Sequence, residues 1–240
     1  MVDDMKKTRT RTRAATCAYC AGKGEMSREH VLPRWARRLL GGYECFVPRR
    51  TKHPWGGEPV VTDVCAACNS GPLSRLDKAA SCIYLALDAV STTLDAADAS
   101  DLGKWSVKVA YNSHRAARVD GALGNEPGFP PSAGRWAAGL DPTCRAVAAC
   151  VATIPAEERL QSVRAGIYSF GEVGLACRYI CLPAVVLYVV WDMPGFPAGS
   201  YARWLCGRAP AARLDGAGAT LPELRDAAAL HRGLFRRGSS

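Results

Sequence analysis

Cys17-Ala-Tyr-Cys20, Glu29-His30-Val31-Leu32-Pro33 and Cys65-Ala-Ala-Cys68-Asn69 follow one another within residues 17–69, and their reading decides the fold. Two C-x-x-C pairs supply what a tetrahedral Cys₄ zinc site needs. Each pair makes a tight knuckle offering two thiolates, and knuckles from distant points of a chain meet around one ion. The 44 residues between Cys20 and Cys65 exceed the spacing of a compact zinc ribbon, leaving room for a hairpin and a loop inside the zinc-closed unit. Between the knuckles an acid stands beside a histidine, and an Asn follows the last cysteine. A purely structural zinc site requires neither, so the pattern points to chemistry held in place by zinc.

Each piece also has a plainer reading. Neighbouring side chains of a strand face opposite sides, so one site using both Glu29 and His30 needs a bend or a strand end. Pro33 and the turn behind it allow such an irregularity. The alternative is an exposed Glu beside a half-buried His packed on the zinc knuckle. Asn69 fits a helix N-cap equally well, because Ser70-Gly71-Pro72 reads as a helix start. His53 and His114 have no partners at a recognisable spacing and read as structural or surface residues.

Outward from this stretch, residues 1–15 are charged, lack apolar periodicity and read as a flexible basic arm. The pattern predicts strands over Arg28–Leu32 and Pro59–Val64, and a short helix over Arg34–Leu40 opened by Pro33. Arg34, Arg37 and Arg38 share one face of that helix, Trp35 and Leu39 another. Leu73, Leu76, Ala80, Ile83 and Leu87 recur at helical spacing, so a helix runs to about Val90; a second covers Leu102–Arg118, with Trp105, Val109 and Asn112 on one side. The Gly/Pro-rich run 120–143 reads as a connection and domain boundary. Beyond it, Ala146–Ile154, Gly166–Phe170, Gly174–Leu182, Ala184–Trp191 and Tyr201–Leu205 read as strands of a mostly antiparallel sheet. A helix near Leu221–His231 and a basic tail close the chain. The fold class is therefore α+β: a zinc-braced unit with helical extension over 16–119, then an α+β accessory domain over 120–240.

Of the formal net charge of +9, residues 1–55 carry +8, with thirteen Lys/Arg against five acids; the remaining 185 residues are nearly neutral. A basic lobe around the cysteines is the footprint of a polyanion, most simply nucleic acid. A solvated surface with a basic tail is the plainer alternative. The segment Leu182–Trp191 is shorter than the roughly 18 apolar residues of a membrane span. No secretory signal opens the sequence, so the expectation is a cytoplasmic protein without a membrane partner. Eleven cysteines in such a chain argue against a disulfide scaffold. Cys45, Cys82, Cys144, Cys150, Cys177, Cys181 and Cys206 read mostly as reduced core residues; Cys177 and Cys181, four apart, are a weaker metal pair in a strand-like run.

The order C-x-x-C, acid-His before Val-x-Pro, then C-x-x-C-Asn resembles the HNH nuclease superfamily, the ββα-metal fold. Within it, the sequence is similar to zinc-containing members related to phage recombination endonuclease VII. Val64-Cys-Ala-Ala-Cys-Asn-Ser-Gly-Pro-Leu-Ser-Arg-Leu-Asp77 resembles a bacterial subgroup reading VCxxCNxGxLSxLE, and Trp105-Ser-Val-Lys108 resembles that subgroup's W-x-x-K helix. The resemblance covers roughly residues 15–118. It departs in lacking the Asn usually found just upstream of the second knuckle, where Thr62 or Asp63 stands, and in carrying Glu29 where many relatives have Asp.

By that resemblance, His30 is the general base, Glu29 and Asn69 hold a catalytic divalent ion, and Cys17, Cys20, Cys65 and Cys68 hold structural Zn²⁺. The catalytic ion would be Mg²⁺ or Mn²⁺, hard cations that prefer oxygen ligands beside a scissile phosphate. The implied activity is metal-dependent endonucleolytic hydrolysis of DNA phosphodiester bonds. Arg28, Arg34, Arg37, Arg38, Arg49, Arg50 and Lys52 are the expected phosphate contacts, giving affinity without sequence preference. Two alternatives stand beside this: an inactive zinc-dependent nucleic-acid-binding module, and an assembly factor that docks proteins through the basic arm.

Overall fold

The computed structural model describes residues 16–38, 59–89, 92–119, 128–159, 164–170, 175–193, 195–208, 211–214 and 218–223. The expected basic arm, Arg49, Arg50, Lys52, His53, the side chain of Arg37 and most of the expected C-terminal helix lie outside them. The architecture is α+β, with helices packed on antiparallel sheet.

Strand β1 (Met26–His30) leads through the short helix α1 (Arg34–Arg38) to β2 (Val60–Cys65). β1 and β2 pair antiparallel, Met26 opposite Cys65 and His30 opposite Val60. The register slips between Ser27 and Glu29, so Thr62 and Asp63 together face Arg28; such a bulge bends a strand and re-aims its side chains. The chain then turns helical at once: α2 (Ala66–Cys68), a π-helical turn (Asn69–Leu73) and α3 (Ser74–Ala89) follow without a break. The helix therefore starts ahead of Ser70-Gly71-Pro72, not at it. Pro72 has no N–H to donate and its ring crowds the preceding turn, a conflict that the wider π turn relieves.

The long helix α4 (Ala96–Val119) is the centre of the molecule. Every residue from Trp105 to Asn112 is buried, the signature of a helix covered on all sides. It packs against α3 and β2 on one side and against a five-stranded sheet on the other. Helix α5 (Pro131–Ala137) lies against it as well, within the run read from sequence as a connection. A side chain at Gly134 would place Cβ 2.6 Å from Tyr111 Cε1, so this contact requires glycine.

The sheet comprises β4 (Val147–Thr153), β5 (Arg164–Phe170), β6 (Leu175–Leu182), β7 (Val185–Trp191) and β8 (Ala212–Arg213), in the order β5-β6-β7-β4-β8. All its pairings are antiparallel. Alternation along the strands separates two cores. Val147, Ala149, Val151, Leu187, Val189 and Trp191 face the core shared with α4, while Ala148, Cys150, Ala152, Val186, Tyr188 and Val190 face helix α6 (Ala198–Arg208). The segment Tyr201–Leu205 is part of α6, not a strand. Asp192 Oδ1 accepts the Ala198 N–H at 2.7 Å at its start, and Tyr201, Ala202 and Leu205 fall on one buried helical face. Residues 221–223 are extended rather than helical: Leu221 N–H donates to Thr92 O, and Glu223 bridges Thr153. Just before them, β9 (Ala219–Thr220) pairs with β3 (Thr93–Leu94). Among the described residues no helix is long and apolar enough to cross a membrane.

Candidate functional site

The first knuckle folds because residues 17–22 bond to themselves. Cys17 N–H donates to Gly22 O, and Ala21 N–H to Cys17 O, each at 2.9 Å. Ala21 takes φ 58, a left-handed conformation uncommon for a residue with a side chain. The turn aims the Gly22 N–H at Cys20 Sγ, 3.4 Å away. A Cβ on Gly22 would sit 3.2 Å from that sulfur, so a larger residue would crowd it. The second knuckle is the junction of β2 with α2, where Cys65 N–H donates to Cys17 Sγ at 3.4 Å. Ala18 N–H to Asp63 O ties the first knuckle to β2, and Ala66 N–H to Glu25 O ties the second knuckle to the residue before β1.

The four sulfurs of Cys17, Cys20, Cys65 and Cys68 consequently lie within 4.8 Å of one another, Cys20 and Cys65 at 3.8 Å. Zinc–sulfur bonds of about 2.3 Å in a tetrahedron set sulfurs roughly 3.8 Å apart, so donor type and spacing both fit zinc. The electrostatics agree. Burial pushes the Cys17 thiol up, but N–H donors of Cys65, Cys20 and Tyr19 outweigh it and bring it down to about 6. Burial and the neighbouring sulfurs of Cys65 and Cys20 push Cys68 far up. Cys17 forms a thiolate readily while Cys65 and Cys68 resist ionisation, a conflict that a bound dication removes. Among the described residues no other group of three or more His, Cys, Asp or Glu side chains is so placed. Cys177 and Cys181 form no such group.

Around this centre the side chains of β1 divide. Arg28 is exposed, Glu29 buried and His30 half-buried, as strand alternation requires. Glu29 and His30 therefore face opposite sides of the strand. Glu29 turns inward, where its Oε1 lies 2.6 Å from Lys108 Nζ, an ammonium with no solvent exposure. Lys108 also donates to both Asp77 oxygens at 2.7 Å, and Trp105 Nε1 donates to Asp77 Oδ1 at 3.0 Å. Burial pushes the Glu29 carboxyl above the usual carboxylate range, with the Lys108 ammonium pulling it back only in part. A carboxylate held this way does not fit the role of ligand to a hard divalent ion. Nor is it the exposed Glu of the plainer reading.

Asn69 is not a helix cap. It has αR backbone angles within the helical run, and its Nδ2 donates to Ser27 Oγ at 2.9 Å and Arg28 O at 3.1 Å. It thereby ties the first turn of the helix to β1, one residue short of Glu29 and two short of His30. Asp63 pairs through its carboxylate with Arg115. Arg115 also lies over the rings of Tyr19 and Tyr111, centroids 5.9 and 5.2 Å away. Both Tyr19 OH, at 2.7 Å, and Arg115 NH1, at 3.1 Å, donate to Asn112 Oδ1. Helix α4 thus supports the first knuckle with a half-buried cation that interacts with Cys17.

Of the expected phosphate contacts, Arg28, Arg34 and Arg38 are described and exposed. His114 is buried and accepts the Phe129 N–H at 3.3 Å, consistent with a structural role. Sequence reasoning missed Lys108 and Asp77 as partners of Glu29, and Arg115 as support of the knuckle. The available signal was Lys108 set directly between Val107 and Val109 in α4. Comparison with protein-family models, with curated proteins and with solved structures finds no match to this chain.

Proposed function

We propose that the chain is a zinc-braced endonuclease of the HNH type, hydrolysing phosphodiester bonds in DNA with His30 as general base. The observation that carries this reading is the Asn69 bridge. It ties the helix's first turn to Ser27 and Arg28 of β1, the strand that ends in His30, beside one Cys₄ group. Neutral imidazole would take the proton from an attacking water, and exposed Arg28, Arg34 and Arg38 would attract the phosphates. Mg²⁺ or Mn²⁺ would supply charge at the leaving oxygen. Glu29 does not fit such an ion while paired with Lys108, and no step is assigned to it.

That same ion pair favours a second reading, a module that binds nucleic acid through the basic lobe without cutting it. Incubation of zinc-loaded protein with supercoiled plasmid, with and without Mg²⁺ or Mn²⁺, separates the two. The expected result is divalent-dependent nicking or linearisation, reduced by roughly 10²–10⁴ in His30→Ala. Zinc content and DNA affinity should stay close to the parent's. Cleavage by His30→Ala at the parent rate removes the base assignment; binding without cleavage by the parent selects the second reading. In either case duplex affinity should fall by roughly 10³–10⁵ between about 50 and 200 mM salt, for six to ten phosphate contacts. A flat salt response would remove nucleic acid as the partner.

A further inference from the structure

On the sheet face opposite α4, Cys206 of α6 points its sulfur at Cys150 of β4, with Sγ to Sγ at 3.5 Å. Both thiols are free, Cys150 is fully buried and Cys206 is half-buried. Cys177 and Cys181 on the same face are both buried, Cys82 is exposed on α3, and Cys144 donates to Ser132 Oγ. We propose that Cys206 and Cys150 form a modification site, a dithiol that hydroperoxides convert to a disulfide joining α6 to β4.

The two thiols divide the work by exposure. Cys206 is the one a peroxide can reach. Its hydrogen bond with the Cys150 sulfur and the Arg213 charge beside it outweigh burial and bring it down to about 7, so a substantial thiolate fraction exists near neutrality. Arg213 is placed there by the sheet, opposite Cys150 in the pairing of β4 with β8. The thiolate attacks the peroxide: an S–O bond forms, the O–O bond breaks, and the departing hydroxide (or alkoxide) takes up a proton. Cys206 is now a sulfenic acid. Cys150 loses its proton and attacks the Cys206 sulfur; the S–S bond forms, the S–O bond breaks, and water leaves. Peroxide is reduced and two thiols are oxidised. The sulfurs need close by only about 1.5 Å to reach bonding distance. Cys150, buried against its partner, meets the sulfenic acid before a second peroxide does.

The test is peptide mapping of zinc-loaded protein after hydrogen peroxide, with thiols blocked before tryptic digestion. The expected product is one cross-linked species, residues 146–159 joined to 204–208 and lighter by two hydrogen atoms, which dithiothreitol reverses. It should hold most of the oxidised Cys206, and its initial rate should rise several-fold from about pH 6 to about pH 8. Cys206→Ser should leave Cys150 unoxidised, while Cys150→Ser should let Cys206 proceed to sulfinic acid. If Cys206 in the parent protein is found reduced, or as sulfinic acid without linkage to Cys150, at peroxide that oxidises exposed Cys82, the proposal is overturned. That readout needs only the parent protein, so poor folding of either serine variant does not blunt it.

Discussion

Lys108 reaches no water, yet its ammonium faces Glu29 from β1 and Asp77 from α3. Burying Lys108 and Glu29 is costly, and removing the cation alone leaves the Glu29 and Asp77 carboxylates close together without their shared partner. Lys108→Met should therefore destabilise the fold by about 3–5 kcal/mol in chemical denaturation, with Glu29→Gln in the same chain recovering part of the loss. A cost below about 1 kcal/mol would mean the contact is not the brace described. At this scale the sequence was legible wherever spacing carried the chemistry: two C-x-x-C pairs name their own ligands. It was not legible for Glu29, because the residue that decides its role lies far downstream on another element. Trp105-Ser-Val-Lys108 could be matched as a pattern, but no local rule says that its Lys points at Glu29 and Asp77.

Helix boundaries depend on which side-chain bonds are made, and Asn69 decides the one that matters here. Its Nδ2 gives hydrogen bonds to Ser27 Oγ and Arg28 O, whereas a cap would accept from the helix's own N–H groups. The two roles respond differently to substitution. Asn69→Ala should cost about 1–3 kcal/mol, two bonds' worth, and Asn69→Asp should cost more, since a carboxylate would face the Arg28 carbonyl. Thermal melts in which Asp matches Asn would restore the capping role, because caps accept Asp and Asn alike. Strands β4, β6 and β7 were readable from their Val, Ile, Cys and Tyr content. Tyr201–Leu205 was not: so short a run of mainly apolar residues fits either period, and the Asp192 bond at Ala198 with the face formed by Tyr201, Ala202 and Leu205 shows it helical. The turn at Pro72 likewise read as a start, since a proline inside a helix is the rarer outcome.

Across the molecule, α4 joins the zinc-fitted unit to the sheet, and one apolar core runs from Cys17 and Tyr19 through Trp105 to Trp191 and Leu214. This continuity was invisible in sequence, where the Gly/Pro-rich run after residue 119 marked a boundary. Gly134 shows how closely the layers meet: Gly134→Val should lower stability by about 1–3 kcal/mol in a denaturation experiment, as Tyr111 must move. An unchanged midpoint would mean that α5 is loosely seated on α4. The four cysteines stand at one end of this core, three of them buried, and the knuckle, hairpin and first helical turn all depend on what joins their sulfurs. Elemental analysis of the purified, folded protein therefore tests the account most directly. It should find one zinc per chain, lost together with the native fold of residues 16–80 when Cys17 or Cys65 becomes Ala. Folded protein that contains no zinc, and melts no differently after Cys65→Ala, would contradict it.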